Sequence, residues 1–419
     1  MENEIFNEPR VSKAYIRLSV PLVLSMVVTL IYNLADTFFV AQTNDTNIVA
    51  GVSLGAPLFT LLMAVGNIFG QGGSSLISRL LGQKDKEGVR HVSSFCFYAT
   101  IFAGIIIGIA MLVFRVPLLY VIGANEETFA HASIYYVYLA IGAPVIMLSF
   151  IHSNLLRSEG MSKESMAGTI LGAVINIILD PIFISGLGWG AGGAAIATVI
   201  GYVCSDIFFA IIVVKRSKIL SVTFKEIKIP AKHMGQIAGI GIPAAIVNLM
   251  QSVSIVLVNQ FLLPFGNDKI AAMGIVLKVS MIALLLLTGF AFGGQPLFGY
   301  YYGAGDKKRL SELFRFCICF ISIMAIFLSV VIILFAPNLM RCFMQNDSII
   351  SDGTLMLRWQ VATMVFVGII LLMTIVFQSL AKVVASSILS ATRQGIISLI
   401  VLTVAYYTAG YMGIVVSQA

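Results

Sequence analysis

The chain has 419 residues, 59% of them hydrophobic and only 11% charged, with a formal net charge of +7. Together with a mean hydropathy of +0.98, this lies far outside the soluble globular range and predicts an all-α polytopic membrane protein with no soluble domain. The basic surplus follows the connections between apolar runs, so it belongs to membrane topology and not to a nucleic-acid partner.

The opening stretch MENEIFNEPRVSKAYIRLSV is acidic, then basic, and leads into a full-length apolar run without a small-residue cleavage site; it reads as a cytoplasmic lead that stays on the protein. Apolar runs that can cross a hydrocarbon core of about 30 Å follow at 15–41, 50–79, 92–114, 129–156, 164–184, 190–214, 234–263, 270–301, 311–335, 354–379 and 384–409. Lys and Arg set their direction, because cytoplasmic connections carry the excess. Twenty lie in the lead and in every second connection, against three (Arg115, Lys269 and Arg341) in the others. The N-terminus is therefore expected on the cytoplasmic side. Cys96, Cys204, Cys317, Cys319 and Cys342 have neither metal-ligand spacing nor a disulfide pattern and are expected to be small packing residues.

The chain repeats itself. SVPLVLSMVV (19–28) recurs as GIPAAIVNLM (241–250), pairing Pro21 with Pro243, and LLGQKDKEGVR (80–90) recurs as YYGAGDKKRLS (301–311), pairing Gly82 with Gly303. Both copies run in the same direction across the membrane, the arrangement of halves related by an axis along the membrane normal. The expected organisation is an N-terminal lobe (1–214), a basic linker (215–233) and a C-terminal lobe (234–419). Only five spans fit the second lobe before YMGIVVSQA, which reads as the first turn of a twelfth span, so the last helix is expected to be cut short.

Three acids fall well within apolar spans: Asp36, Asp180 and Asp206. An ionisable group at that depth costs at least about 2.5 kcal/mol and is kept where it faces a polar cavity or has partners. Asp180 stands in NIILDPIFI, with Asn176 one turn earlier on the same face and Pro181 freeing the carbonyl of residue 177. Carboxylate, amide and carbonyl are oxygen ligands suited to a hard cation, so the group is expected to hold H⁺ or Na⁺; the competing reading is an aspartate that glues helices together. Asp36, in IYNLADTFFV, has Tyr32 one turn back and Asn33 and Thr37 nearby. Two such acids in one cavity repel when both are ionised, which permits a titration-driven switch. Asp206 lies toward the cytoplasmic end of its span, within reach of interfacial water. Thr198 offers a hydroxyl ligand, although a threonine there also bonds back to its own helix. The second half carries Lys278, Arg358 and Arg393 within spans, expected to snorkel or to balance polar groups.

These stretches, together with GNIFGQGGSSLISRLLGQKD, YLAIGAP, LRSEGMS and GAGGAAIAT, resemble the multidrug and toxic compound extrusion (MATE) family over nearly the whole chain. The resemblance is to the bacterial branch that includes DNA-damage-inducible and staphylococcal multidrug efflux members. It implies a V-shaped fold of two six-helix lobes exporting cationic amphipathic compounds against H⁺ or Na⁺. It places the cation site, open to Na⁺, at Asp36, Asn176, Asp180 and Thr198, with Tyr32 and Tyr135 beside it and Asp206 and Asn33 as further candidates. The acids that some relatives use as a second ion site in the C-terminal lobe are absent.

The expected function is secondary active multidrug export by alternating access, in a bacterial cell membrane, by a monomer whose partners are lipid and small cationic drugs or dyes. No cofactor is expected beyond the coupling ion. Adaptable Met and aromatic side chains suit such a cavity, and Met26, Phe38, Met63, Met147, Met250, Met281 and Phe290 are the candidates. The chief alternative is a flippase for lipid-linked precursors of the same superfamily, whose cavity should be basic. An embedded enzyme is disfavoured: His91, His131, His152 and His233 are scattered near span ends without ligand spacing.

Overall fold

The computed structural model describes residues 5–343, 346–394 and 396–417, with side chains except at 249, 251–253, 255, 256, 259, 267, 391, 393, 394 and 396–398. The apolar runs become helices. In the first half these are α1 (Val11–Ala41), α2 (Thr46–Ser53), α3 (Ala56–Gly82), α4 (Lys86–Val113), α5 (Arg115–Val121), α6 (Phe129–Ser158), α7 (Ser162–Pro181) and α8 (Gly190–Lys215). The second half holds α9 (Ala231–Leu262), α10 (Asn267–Gly293), α11 (Gln295–Gly303), α12 (Lys307–Phe343), α13 (Asp347–Ala362), α14 (Met364–Ser379), α15 (Val383–Gln394) and α16 (Ile396–Ser417). Among the described residues, nine helical rods are long and apolar enough to cross a membrane, ten if α13 and α14, bent by 44°, count as one.

Helices overrun the apolar stretches where polar residues cap them. Asp45 accepts from the N–H groups of Asn47 and Ile48, which starts α2 ahead of the run at 50. Asn346 does the same for Ser348 and Ile349, so α13 begins at Asp347 and not near 354. The side chain of Arg393 lies outside the described residues.

The rods pack as two lobes. Helices α3, α4, α6, α7 and α8 pack on one another with α1 against α7; α10, α12, α13 and α14 form the second group, joined by α9, α15 and α16. The first turns of α1 reach across: Phe6, Val11, Ala14, Tyr15 and Leu18 are buried in the apolar core of the second half. Tyr15 donates to the Phe290 carbonyl at 2.8 Å, and Phe6 stacks on Tyr300 with centroids 4.4 Å apart.

The seam between lobes is built on backbone approach. A Cβ on Gly82 would collide with the Tyr300 carbonyl, and one on Gly303 with the Arg79 carbonyl; each contact is the other's counterpart under the internal repeat. Gly299 crosses Ser78, Gly241 lies on the Ile68 carbonyl, and Gly293 lies on Ser19. Buried Arg79 bridges the lobes, donating to Ser75 Oγ at 2.9 Å, to the Ser379 carbonyl at 3.1 Å and to Gln236 Oε1 at 3.2 Å. These contacts all lie toward the ends that carry the basic connections. Leu34 and Phe38, farther along α1, are 62% and 56% exposed.

Candidate functional site

The site begins with Pro181. Its missing N–H interrupts the α-helical ladder, and the chain continues as a π turn over Ile182–Gly186, closed by Leu187 N–H donating to the Ile182 carbonyl at 2.8 Å. Such turns recur where a helix serves a function. Gly188 and Gly190, with φ of 69° and 51°, then swing the chain back as α8. Helices α7 and α8 pack so closely that a Cβ on Gly172 would meet the Gly201 carbonyl, while Ser205 donates to the Gly168 carbonyl at 2.9 Å. That close approach brings Thr198 to Asn176.

With the Asn176 amide turned so that both ends find partners, its nitrogen donates to Asp180 Oδ2 at 2.8 Å. Its oxygen then accepts from Thr198 N–H at 2.9 Å and from Thr198 Oγ1 at 3.3 Å. Tyr32 reaches the same hydroxyl from α1 at 3.5 Å. Thr198 is thus engaged across helices, where a threonine in a small-residue span also had the option of its own backbone. Asp180 is 0% exposed, and among the described residues both Asp180 Oδ1 and Asp36 Oδ1 are buried without a hydrogen-bond partner. The two carboxylates interact electrostatically, and buried Tyr135 lies in the field of both. Hydrogen bonds thus link Asp180, Asn176, Thr198 and Tyr32, with Asp36 and Tyr135 in their electrostatic surroundings and two carboxylate oxygens left over.

The other candidates separate from this group. Asn33 is exposed, and its backbone carbonyl accepts from Thr37 Oγ1 at 2.8 Å. Asp206 does not reach interfacial water: it is 8% exposed and pairs with buried His152 Nδ1 at 3.2 Å. His152 is accordingly an interior partner and not a scattered span-end residue. Met147 lies wholly within the apolar core of the first half and lines no cleft. Phe290 is also a packing residue, against the core of the second half, its ring 5.0 Å from that of Phe320. Met26 is half-buried where α1 meets Gly289, Met63 is half-buried, and Met250 and Met281 are exposed.

Tyr202 belongs to the site's surroundings and was not anticipated. Its ring lies 6.0 Å from Phe59 and 6.1 Å from Phe150, and it interacts electrostatically with Tyr32. Thr198, Tyr202 and Asp206 are spaced by four along α8, so the one-face rule for helices carries the signal. No comparable signal exists for His152, which stands 54 residues from its partner.

Two packed groups of membrane-length helices, the first holding two buried carboxylate oxygens without a hydrogen-bond partner among the described residues, have the architecture of a polytopic membrane protein. The MatE family profile matches residues 21–182 and again 243–404, so the chain belongs to that family, and the double match falls on the internal repeat. It is 31% identical over 410 residues to the multidrug export protein MepA of Staphylococcus aureus, covering 98% of this chain and 90% of that one. MepA of Staphylococcus saprophyticus is 30% identical over 412 residues, with the same coverage. Among solved structures, the outward-facing conformation of a multidrug resistance MATE family transporter of the MOP superfamily matches with a TM-score of 0.92 at 26% identity, covering 100% of this chain and 94% of that one. A MOP superfamily transporter from Pyrococcus furiosus, described as having a binding pocket of reverse polarity that suggests a different function, matches with a TM-score of 0.92 at 27% identity and the same coverage.

Proposed function

We propose that this chain exports cationic amphipathic compounds across a bacterial cytoplasmic membrane in exchange for H⁺ or Na⁺, with its N-terminus in the cytoplasm. The observation that supports this reading is the pair of buried carboxylate oxygens, Asp36 Oδ1 and Asp180 Oδ1, that have no hydrogen-bond partner among the described residues. A small cation entering there supplies what each oxygen lacks. Asn176 and Thr198 orient Asp180, and Tyr32 ties the first helix to the same hydroxyl.

Binding there draws α1 toward α7 and α8, and the π turn after Pro181 is the compliant element that absorbs the movement. Coupling then requires only that the ion and the exported compound favour different arrangements of the lobes. Purified protein in liposomes tests this: a cationic dye should accumulate when a pH gradient or a Na⁺ gradient is imposed alone, and whichever gradient works identifies the ion. Absence of dye movement under both would refute the exchange.

A further inference from the structure

The pair formed by His152 of α6 and Asp206 of α8 has no part in the exchange described above. Its Nδ1 and Oδ1 atoms are 3.2 Å apart, and both residues are buried. Each keeps one idle polar atom, since His152 Nε2 and Asp206 Oδ2 are buried without a hydrogen-bond partner among the described residues. Interhelical glue alone would favour a pair whose polar atoms are all spent. With the ring neutral, its N–H donates to the carboxylate and the pair carries one negative charge. One added proton makes the pair neutral overall, which lowers the cost of burying it.

The pair's neighbours are mostly uncharged. On α6, Ser149 is a polar neighbour of the carboxylate, while Arg157 is spent on Ser153 and Asn154. On α8, Tyr202 interacts electrostatically with Asp206. From α4 comes the Phe97 ring, 5.5 Å from the imidazole; Cys96 lies against Gly73 and Tyr98 donates to the Val222 carbonyl. The charged groups of α4 and α7 lie in their first two turns, apart from Asp180 in the cation site, and Arg79 of α3 is held at the seam.

Thr198, Tyr202 and Asp206 step along one face of α8. At 1.5 Å per residue, Asp206 is about 12 Å beyond Thr198 toward the basic end, so the pair is a site of its own. Helix α7 touches the surroundings of both sites. It carries Asn176 and Asp180, and its Gly168 lies against the Phe209 ring, which is 6.1 Å from the imidazole. A movement of α7 at the cation site therefore changes the packing beside His152.

We propose that His152 and Asp206 form a second proton-binding site in the first lobe, which takes one proton from water when the cation site fills and returns it to water when cargo binds. This rests on the exporter reading above, and it makes export depend on protons whichever ion Asp36 and Asp180 take.

Two measurements on the purified full-length protein test it. With His91, His131 and His233 made glutamine, His152 gives the single imidazole signal in nitrogen NMR while the pair itself stays intact. That ring should pass between neutral and charged forms from about pH 5 to about pH 9. Proton release into weakly buffered solution is then followed as tetraphenylphosphonium, a lipophilic cation, is added. Wild type should release about one proton more than Asp206→Asn and His152→Gln, with Asp206→Glu restoring the difference. A ring that keeps one protonation state throughout would overturn the proposal, as would equal proton release from wild type and both variants. Liposome transport separates the two readings: a titrating ring and the extra proton without gradient-driven movement of the probe leave the second site and remove the exporter, and movement with a silent ring does the reverse.

Discussion

Replacing Asp180 by asparagine keeps the shape of the side chain and its bond from Asn176 but removes the charge. In the native chamber one carboxylate oxygen accepts from Asn176 at 2.8 Å, and the other has no partner. At an effective dielectric of about 20, a unit charge contributes roughly 4 kcal/mol to a cation 4 Å away, close to three powers of ten in affinity. Asp180→Asn should therefore weaken ion binding by about two to three powers of ten, with Asp36 accounting for what remains. Folding should survive, and the ion-free variant should melt higher, because a buried and incompletely partnered charge has been removed. Trp189 is a ready reporter: its ring lies 5.2 Å from Phe183 in the π turn that follows the site, and the only other tryptophan, Trp359, can be made phenylalanine. Titrating ion against Trp189 fluorescence in the Trp359→Phe background gives the affinity, and the same protein in liposomes gives coupled transport. An Asp180→Asn protein with native ion affinity and full gradient-driven transport would refute the assignment.

Thr198→Val removes the hydroxyl shared by Asn176 and Tyr32; ion affinity should fall about tenfold, by the same titration, because Asn176 is freed to turn from Asp180. Gly303→Ala puts a methyl group against the Arg79 carbonyl, an overpacking cost of about 1–3 kcal/mol felt only when the basic end is closed. A cysteine at buried Ser379, in an otherwise cysteine-free protein, should then react roughly tenfold faster with an impermeant thiol reagent applied from that end. At the start of the linker, Glu159 accepts from Ser217 Oγ at 2.6 Å and from Lys218 N–H at 3.2 Å. Burial nevertheless holds its carboxyl above the ordinary carboxylate value. The folded state thus binds this proton more tightly than the unfolded chain, and the associated stability is present at low pH and lost as pH rises through the range just above that value. Melting temperatures across mildly acidic pH should show the decline, and Glu159→Gln should flatten it.

The acids were legible in the sequence because the bilayer makes them expensive: Asp36 and Asp180 stand out against isoleucine and phenylalanine, and the four-residue step from Asn176 to Asp180 places both on one helical face. Thr198 was visible only through its motif, since what gives it a role is the glycine-lined approach of α7 and α8. Asp206 looked solvent-bound because hydropathy reports depth and not neighbours; its partner lies on α6. Met147 and Phe290 show the same limit, as residues of the right type whose side chains turn into the lobes' interiors.

The repeat explains why the seam is symmetric while the chemistry is not. Gly82 against Tyr300 and Gly303 against Arg79 are one contact made twice, so the seam favours neither lobe. The two buried carboxylate oxygens of the site, Asp36 Oδ1 and Asp180 Oδ1, both belong to the first half of the chain. On the proposed exchange, relief of these acids by a cation would act on the first lobe. Two ligands can act on one closure in this way without sharing a residue, and the thermodynamic requirement for exchange is only that they favour different states of it.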